Sequence, residues 1–380
     1  MRKSILATMI LAAFGAASAA SAAEVSRAPF GALPTGETVE AITLTNRRGM
    51  KVTLITYGAA IQSVVVPDRR GRLADVAPGY ASLQGYLTKS EYFGATVGRV
   101  ANRIALGRFT LDGKTYQTPV NNGPNALHGG TKGFDKVNWR VLSANGGPTA
   151  VVTMQYVSPH MDQGYPGQLT TTATYSLDER NVLTVDYRAT TDRPTVVNLS
   201  NHAYWNLAGE GAPEGAMGHI LTIPADHYTP VDPSLIPTGE IRPVQGTVFD
   251  FRRPTPIGAR VRNAADRQIV FGQGYDHNWV VARTVSPTPR LVARVEEPTS
   301  GRVLEILSNQ PGIQFYSGNF LDATVIGKSG RLYRMGDSIA LEPQMFPDTP
   351  NRPEFGSARL NPGETYRNVI EFRFSTSRRR

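Results

Sequence analysis

Hydrophobic and polar positions alternate along most of the chain, which is typical of β-strands with one buried face. Residues 41–45 and 51–56 alternate on either side of the turn Arg47-Arg48-Gly49, and this pattern predicts a β-hairpin. A second hairpin is predicted at 107–116, where Asp112-Gly113 fits a type I′ turn. Further strands are predicted at 59–66, 139–143, 149–157, 169–177, 181–189, 219–223, 277–282, 290–296, 303–308, 312–317, 338–341 and 365–374.

Helical periodicity is nearly absent from the sequence. Only residues 82–89 and 256–260 show helical spacing, for about two turns at most. The segment 26–38 shows neither pattern and is expected to be a flexible entry to the first strand. Because no linker divides the chain, we predict an all-β fold: one large antiparallel β-sandwich domain over residues 24–380.

The first 23 residues have the features of a secretory signal peptide. Arg2 and Lys3 precede an apolar run at 4–16, and the segments 17–19 and 20–22 both offer small residues for cleavage. The run is short and rich in alanine for a membrane span, although a retained N-terminal anchor is the alternative. We therefore expect an exported protein, with the periplasm as its destination and the extracellular space as the second possibility.

Charge and composition indicate which classes of partner the protein could bind. The formal net charge is +9, but the basic residues are scattered as pairs, such as Arg47-Arg48 and Arg252-Arg253, without interleaved aromatic residues. This distribution predicts a solvated basic surface and no nucleic-acid partner. The chain has no cysteine, so disulfides and thiolate metal sites are excluded. No membrane association is expected after signal cleavage, and the sequence leaves monomer and dimer open.

One polar segment, 198–209, follows the apolar run 195–197 and holds His202, Tyr204 and Trp205 among three asparagines. It is either an unusually polar core strand or a strand that delivers side chains to a site. Four other regions, 98–104, 125–130, 272–279 and 310–319 with 341–351, also depart from hydrophobic alternation. Together they supply the amides, carboxylates, arginines and aromatic rings that sugar hydroxyls and sugar C–H faces require.

Several other chemistries lack their residues. The sequence has no His-x-x-x-His or Glu-x-x-His pair for a metal on a helix, no Gly-x-Ser-x-Gly elbow and no phosphate-binding Walker loop. Its glycine-rich segments do not open a helix after a strand. We therefore expect neither a metal nor a nucleotide cofactor.

Taken together, these segments resemble the aldose 1-epimerase (galactose mutarotase) family. They occur in that family's order and cover nearly the whole chain after the predicted signal peptide. The segments that carry the resemblance are 98–104 (GRVANRI), 127–130 (LHGG), 201–209 (NHAYWNLAG), 275–277 (YDH), 312–320 (GIQFYSGNF) and 341–342 (LE).

The resemblance implies a cofactor-free isomerase with the family's large antiparallel β-sandwich, the galactose mutarotase-like supersandwich. It would interconvert the α and β anomers of free hexoses such as galactose and glucose. His202 would be the general acid that protonates the ring oxygen, and Glu342 the general base that takes the proton of the C1 hydroxyl. The sugar-binding positions implied are Asn102, Arg103, His128, Tyr204, Asp276 and Gln314.

One departure from the family concerns the residues after Glu342. The family's glutamate is often followed by Thr-Gln-His, whereas this chain has Pro343-Gln344-Met345. A proline fits a strand end, where its missing donor is not needed. The change leaves the base itself in place but puts in doubt the hydrogen bonds that orient it.

Two other functions remain open from the sequence. A hexose-phosphate epimerase would need extra cations at the site, and Arg99 is expected to share a strand face with Arg103. A sugar-binding module would need no acid and base, so the presence of both His202 and Glu342 argues against it. The other histidines are expected to be structural or exposed, including His277, which alternation points away from Asp276.

Overall fold

The structure is a computed structural model that describes residues 23–89 and 91–377. Except for Ala23, the predicted signal peptide lies outside these residues and stays a prediction. The α-helices of the described chain are α1 (Leu83–Thr88) and α2 (Arg267–Gly272). Neither is long and apolar enough to cross a membrane, nor is any other helix in the described ranges.

The rest of the described chain is dominated by short antiparallel strands. In chain order they are β1 (Glu24–Ala32), β2 (Thr38–Thr45), β3 (Lys51–Ile55), β4 (Ala60–Pro67), β5 (Leu73–Asp75), β6 (Thr96–Val97), β7 (Arg103–Ile104), β8 (Arg108–Leu111), β9 (Lys114–Gln117), β10 (Ala126–Leu127), β11 (Arg140–Asn145), β12 (Ala150–Ser158), β13 (Leu169–Leu177), β14 (Val182–Thr191), β15 (Thr195–Val196), β16 (Ser200–Asn201), β17 (Tyr204–Trp205), β18 (Ile220–Thr222), β19 (His227–Thr229), β20 (Arg242–Pro243), β21 (Thr255–Pro256), β22 (Asp276–Val280), β23 (Arg290–Glu296), β24 (Arg302–Ser308), β25 (Gly312–Tyr316), β26 (Asp322–Ile326), β27 (Leu332–Arg334), β28 (Ile339–Gln344), β29 (Arg359–Leu360) and β30 (Tyr366–Thr376).

Three larger sheets form the body of the fold. A nine-stranded sheet has the order β11-β12-β13-β14-β30-β24-β23-β18-β21, a six-stranded sheet the order β17-β28-β25-β22-β19-β20, and a five-stranded sheet the order β1 to β5. One buried cluster contains residues from all three, including Tyr187, Phe315 and Leu44. The apolar faces therefore pack on one another, and the predicted all-β antiparallel sandwich is confirmed.

Both predicted hairpins form. Strands β2 and β3 pair in register from Ala41 opposite Ile55 to Thr45 opposite Lys51. At the turn between β8 and β9, Asp112 has φ 51° and Gly113 has φ 73°. Two successive left-handed residues are what a type I′ turn requires, so the Asp-Gly pair determines this turn as predicted.

Two local predictions are wrong or incomplete. The segment 26–38 is no flexible entry, because β1 pairs with β2 along its whole length. Most side chains of β1 are exposed, so the strand lacks the alternation that would reveal it. The helical spacing at 256–260 gives only a 3₁₀ turn, Ile257–Ala259. Helix α2 was not predicted; the side chain of Asp266 caps its start by accepting from the Gln268 N–H.

The polar segment 198–209 is not one strand. It forms two short strands, β16 and β17, which pair with β6 and β28 respectively. The Asn201 side chain accepts a hydrogen bond from the Ala203 N–H and bends the chain between them. His202 lies at this bend, so the same short segment connects two sheets at the histidine.

Candidate active site

A cavity of about 200 Å³ opens beside His202, over one end of the six-stranded sheet. Seven of the eight predicted site residues line it: Asn102, Arg103, His128, His202, Tyr204, Asp276 and Glu342. The eighth, Gln314, lies behind them and donates from Nε2 to Asp276 Oδ1 at 2.7 Å. Residues separated by up to 240 positions are therefore brought together, although the role of each remains a prediction.

His202 and Glu342 face each other inside the cavity. The distance between His202 Nε2 and Glu342 Oε1 is 3.6 Å, and their side chains are only 6% and 3% exposed. Burial lowers the pKa of His202 to about 4 and raises the pKa of Glu342 well above its usual value. A positive charge on His202 would favour the ionised form of Glu342, and a negative charge on Glu342 would favour the protonated form of His202. The two groups therefore titrate as a pair.

His128 is fixed in one tautomer. Its Nδ1 accepts the Asn102 N–H at 3.1 Å, with both residues in the left-handed region at φ 51° and 59°. Burial, the neighbouring His202 and nearby cations lower the pKa of His128 well below its usual value. The ring is therefore neutral with its proton on Nε2, and it offers a hydrogen-bond donor.

The geometry of His128, His202 and Glu342 also raises the question of a metal, because one possible ligand atom from each lies within 4.8 Å of the others. The lone pair of His128 Nδ1 is engaged by the backbone, and its Nε2 carries the proton. A neutral imidazole in this state has no nitrogen free to coordinate a metal. The three residues fit proton transfer and hydrogen bonding better than metal binding.

Asp276 and Arg103 form a buried ion pair on the cavity wall. Arg103 donates to Asp276 Oδ2 at 3.4 Å and to Asn122 Oδ1 at 2.9 Å, and both ion-pair partners are less than 10% exposed. Because Gln314 donates to the other oxygen, Oδ1, the Asp276 carboxylate is held in one orientation. A fixed carboxylate beside a guanidinium suits a pair of adjacent sugar hydroxyls.

The structure adds aromatic and acidic residues to the predicted set. Glu91, Tyr92, Tyr316 and Phe320 also line the cavity. The Tyr92 ring centre lies 4.6 Å from that of His128 and 5.7 Å from that of His202. Its backbone φ of 58° turns the ring towards the histidines. The sequence around Tyr92 carries no turn signal, so no pattern could have identified it.

Arg99 does not reach the cavity, and its predicted position beside Arg103 is wrong. The Arg99 side chain is buried and donates to the Pro166 and Gly167 carbonyls and to Ser158 Oγ. Asn102 has φ 59°, so the chain is not extended there and the alternation between the two arginines is broken. The hexose-phosphate alternative depended on Arg99 as an additional cation at the site, but this arginine forms hydrogen bonds inside the fold instead.

Pro343 is the fifth residue of the six-residue strand β28. Its carbonyl accepts hydrogen bonds from Ser200 Oγ at 2.8 Å and from Asn368 Nδ2 at 3.1 Å. Asn198 then accepts from the Met345 N–H. The chain after Glu342 is held by side chains, so the strand is anchored despite the departure from the family pattern.

The remaining buried histidines have structural partners. His277 Nδ1 accepts the Asp276 N–H, and its Nε2 faces Gln268 Oε1 at 3.2 Å, away from the cavity. His219 Nε2 accepts the Leu207 N–H at 2.8 Å. These rings hold backbone in place, in agreement with their predicted structural role.

His219 provides a prediction on stability. Burial lowers its pKa to about 4, whereas an unfolded chain binds the proton below about 6.5. Protonation therefore favours the unfolded state between these values, and stability falls as the pH decreases through this window. Between pH 7 and pH 5 the free energy of unfolding should fall by about 2 kcal/mol less in His219→Gln than in the native protein, as measured by urea unfolding. An unchanged pH dependence would contradict this assignment.

Comparison with known proteins identifies the family to which the chain is similar. The profile of the family described as Aldose 1-epimerase matches residues 40–373. The galactose mutarotase of Sus scrofa is 49% identical over 356 residues, which is 93% of this chain and 99% of the relative. The aldose 1-epimerase of Escherichia coli K12 is 37% identical over 343 residues, with 90% and 96% covered.

Two solved structures show the same architecture. The GalM/aldose epimerase homologue from C. elegans superposes with a TM-score of 0.80 at 32% identity, covering 89% of this chain and 99% of its own. The galactose 1-epimerase from Lactobacillus acidophilus NCFM has a TM-score of 0.82 at 28% identity, with 94% and 100% covered.

Proposed function

This chain belongs to the aldose 1-epimerase family and is an isomerase, and from this premise we propose that it interconverts the α and β anomers of free hexoses such as galactose and glucose. The observation that carries the mechanism is the buried pair of His202 and Glu342, 3.6 Å apart in a polar cavity. We assign the general acid to His202 and the general base to Glu342.

Anomer exchange requires the hemiacetal ring to open. Glu342 takes the proton of the C1 hydroxyl while His202 Nε2 gives a proton to the ring oxygen, and the bond between C1 and that oxygen breaks. The open aldehyde rotates about its C1–C2 bond. Ring closure on the other face returns one proton from Glu342 to the C1 oxygen and one from the new hydroxyl to His202.

The buried pair suits this cycle because burial penalises a net charge. Imidazolium with carboxylate, and imidazole with carboxylic acid, contain the same number of protons. The site contains imidazolium and carboxylate while the sugar ring is closed, and imidazole and carboxylic acid while the sugar is the open aldehyde. Both are net neutral, so a buried site can hold each of them without gaining or losing a proton.

The other lining residues would orient the sugar. His128 Nε2–H points a donor at an acceptor oxygen, and the Asp276 carboxylate accepts from hydroxyls. Arg103 forms an ion pair with Asp276 and offers further donors. Asn102, Tyr204 and Gln314 complete the proposed binding set, Gln314 through its contact with Asp276.

Polarimetry tests the reaction directly. Freshly dissolved α-D-galactose or α-D-glucose should approach its equilibrium rotation faster with the purified protein than in buffer, and a panel of aldoses would rank the substrates. Absence of any acceleration would refute the proposal. Sugar binding without acceleration would instead identify a binding module, and acceleration confined to hexose phosphates would identify the alternative epimerase.

We also propose that residues 1–23 direct export to the periplasm. The support is the basic, apolar and small-residue order of the N-terminal sequence. Expression of the full chain in a Gram-negative host should give a periplasmic protein whose N-terminus, by mass spectrometry, lies near residue 24. Recovery of the uncut chain in the membrane fraction would favour a retained anchor.

A further inference from the structure

A row of buried polar residues crosses the six-stranded sheet behind the cavity. Thr229 on β19 is opposite Asn278 on β22, Asn278 is opposite Gln314 on β25, and Gln314 is opposite Glu342 on β28. His202 faces Glu342 at the end of the row. Opposite residues in an antiparallel pair have Cβ atoms about 4.5–5.5 Å apart, so each side chain neighbours the next.

These side chains carry buried atoms without hydrogen-bond partners. They are Thr229 Oγ1, Asn278 Nδ2 and Oδ1, Gln314 Oε1 and Glu342 Oε2. Gln344, two residues beyond Glu342 and on the same face of β28, has both amide atoms unpartnered. A buried polar group without a hydrogen-bond partner destabilises the fold. Native proteins satisfy such clusters with ordered water that has two to four polar partners.

Gly312 makes room for this arrangement. It lies on β25 opposite Gln344, on the same face as Gln314. A Cβ atom at this position would lie 2.3 Å from Asn278 Oδ1, 2.9 Å from the Phe346 ring and 3.1 Å from the backbone carbonyl oxygen of Gln344. The missing side chain therefore lets the Asn278 amide lie over β25, next to the β28 backbone at Gln344.

We propose that Asn278 and Gln344 are positioning residues that hold ordered water, and that this water donates a hydrogen bond to Oε2 of Glu342. This inference rests on the proposed role of Glu342 as the base. Neither residue lines the cavity, so both act on Glu342 and not on the sugar. A donor to Oε2 fixes the carboxylate plane and leaves Oε1 directed at His202.

The same contact influences the charge of Glu342. Burial and the charge of Asp276 raise its pKa, and Arg103 lowers it. His202 faces it at 3.6 Å, and a ligand atom of His128 lies within 4.8 Å. Hydrogen bonds donated to a carboxylate favour the ionised form. The water-linked amides therefore work against the burial effect and help to keep the base ionised.

Replacing Gln344 by methionine tests the proposal with little change in side-chain volume. We expect the acidic limb of the pH profile of kcat/KM to move to higher pH by about one unit. At the low-pH end of this limb, kcat/KM should therefore fall about tenfold. KM should stay within about twofold at a pH where both proteins are fully active, because Gln344 does not line the cavity. Thr171→Val is the control, since it removes an unpartnered buried hydroxyl from β13, a strand of the nine-stranded sheet, whereas Glu342 lies in the six-stranded sheet. Its pH profile should not change.

A second pair of variants guards against misfolding of the first. Asn278→Leu, which removes the second amide, should shift the acidic limb in the same direction as Gln344→Met, whereas Thr229→Val, at a position three strands from Glu342, should leave the native profile unchanged. Folded Gln344→Met and Asn278→Leu proteins with unshifted profiles would overturn the proposal. A KM change alone would also overturn it, because it would place the residues in sugar binding.

An infrared measurement separates this proposal from the proposed function. The band of the protonated carboxyl that is lost in Glu342→Gln reports the titration of Glu342 without any turnover. A band that titrates at higher pH in Gln344→Met supports the positioning role even if Glu342 proves unnecessary for catalysis. A band that titrates as in the native protein rejects it, whatever the activity.

Discussion

Glu342→Gln is expected to slow catalysed anomer interconversion by about 10²–10⁴-fold, the usual contribution of a general base. Glutamine keeps the shape of the side chain but cannot accept the proton of the C1 hydroxyl. Because Glu342 lies within a buried site, few other groups can replace it. The measurement is the polarimetric rate at saturating sugar, after subtraction of the buffer rate.

His202→Asn should cause a loss of similar size, and the double variant should lose little more than either alone, because the two residues act as a unit. Glu305→Gln is the matched control, since this carboxylate is 39% exposed on β24 and lies 4.0 Å from Arg294. It should leave the rate unchanged. Native rates in both Glu342→Gln and His202→Asn would show that the acid and base lie elsewhere.

Arg103→Met is expected to destabilise the fold by about 3–5 kcal/mol, because it leaves the Asp276 carboxylate buried without its cation. The loss should be visible as a lower urea midpoint. Arg27→Met is the control, because its pair with Glu40 is 47% and 31% exposed and such surface pairs contribute about 0–1 kcal/mol. A small loss in Arg103→Met, equal to that in the control, would contradict the buried-charge argument.

The double variant Arg103→Met with Asp276→Asn separates stability from sugar binding. It removes the unpaired charge, so part of the lost stability should return. KM should nevertheless remain high, since both of the proposed hydroxyl partners have been changed. Recovery of KM together with stability would indicate that this pair supports the fold and does not bind the sugar.

The sequence predicted those features that depend on local pattern. The long strand β13 has the bounds that alternation predicts, because it has a buried face over its whole length. The Asp112-Gly113 turn follows from the preference of these two residues for left-handed backbone. The motifs also predicted residues that lie together in the structure, since residues from each of them line the same cavity.

Features that depend on the backbone at single residues could not be predicted in this way. The left-handed conformations of Tyr92 and Asn102 decide that Tyr92 reaches the cavity and that Arg99 does not. Neither residue type requires such a conformation, so tertiary contacts determine it. Strand β1 was missed for the opposite reason, because pairing with β2 stabilises it while most of its side chains remain in solvent.

Pro343 has a consequence for how the two sheets divide. Strand β17 pairs with β28 only at Ala340 and Ile339, and Pro343 offers no N–H with which to continue that ladder. The preceding strand, β16, therefore pairs with β6, and its Ser200 hydroxyl donates to the Pro343 carbonyl oxygen. The chain passes from one sheet to the other at this point, where the His202 N–H donates to the Ala95 carbonyl oxygen and the His202 carbonyl oxygen accepts from the Gly94 N–H. The histidine backbone is thus held by the segment before β6 while its side chain faces Glu342 on β28.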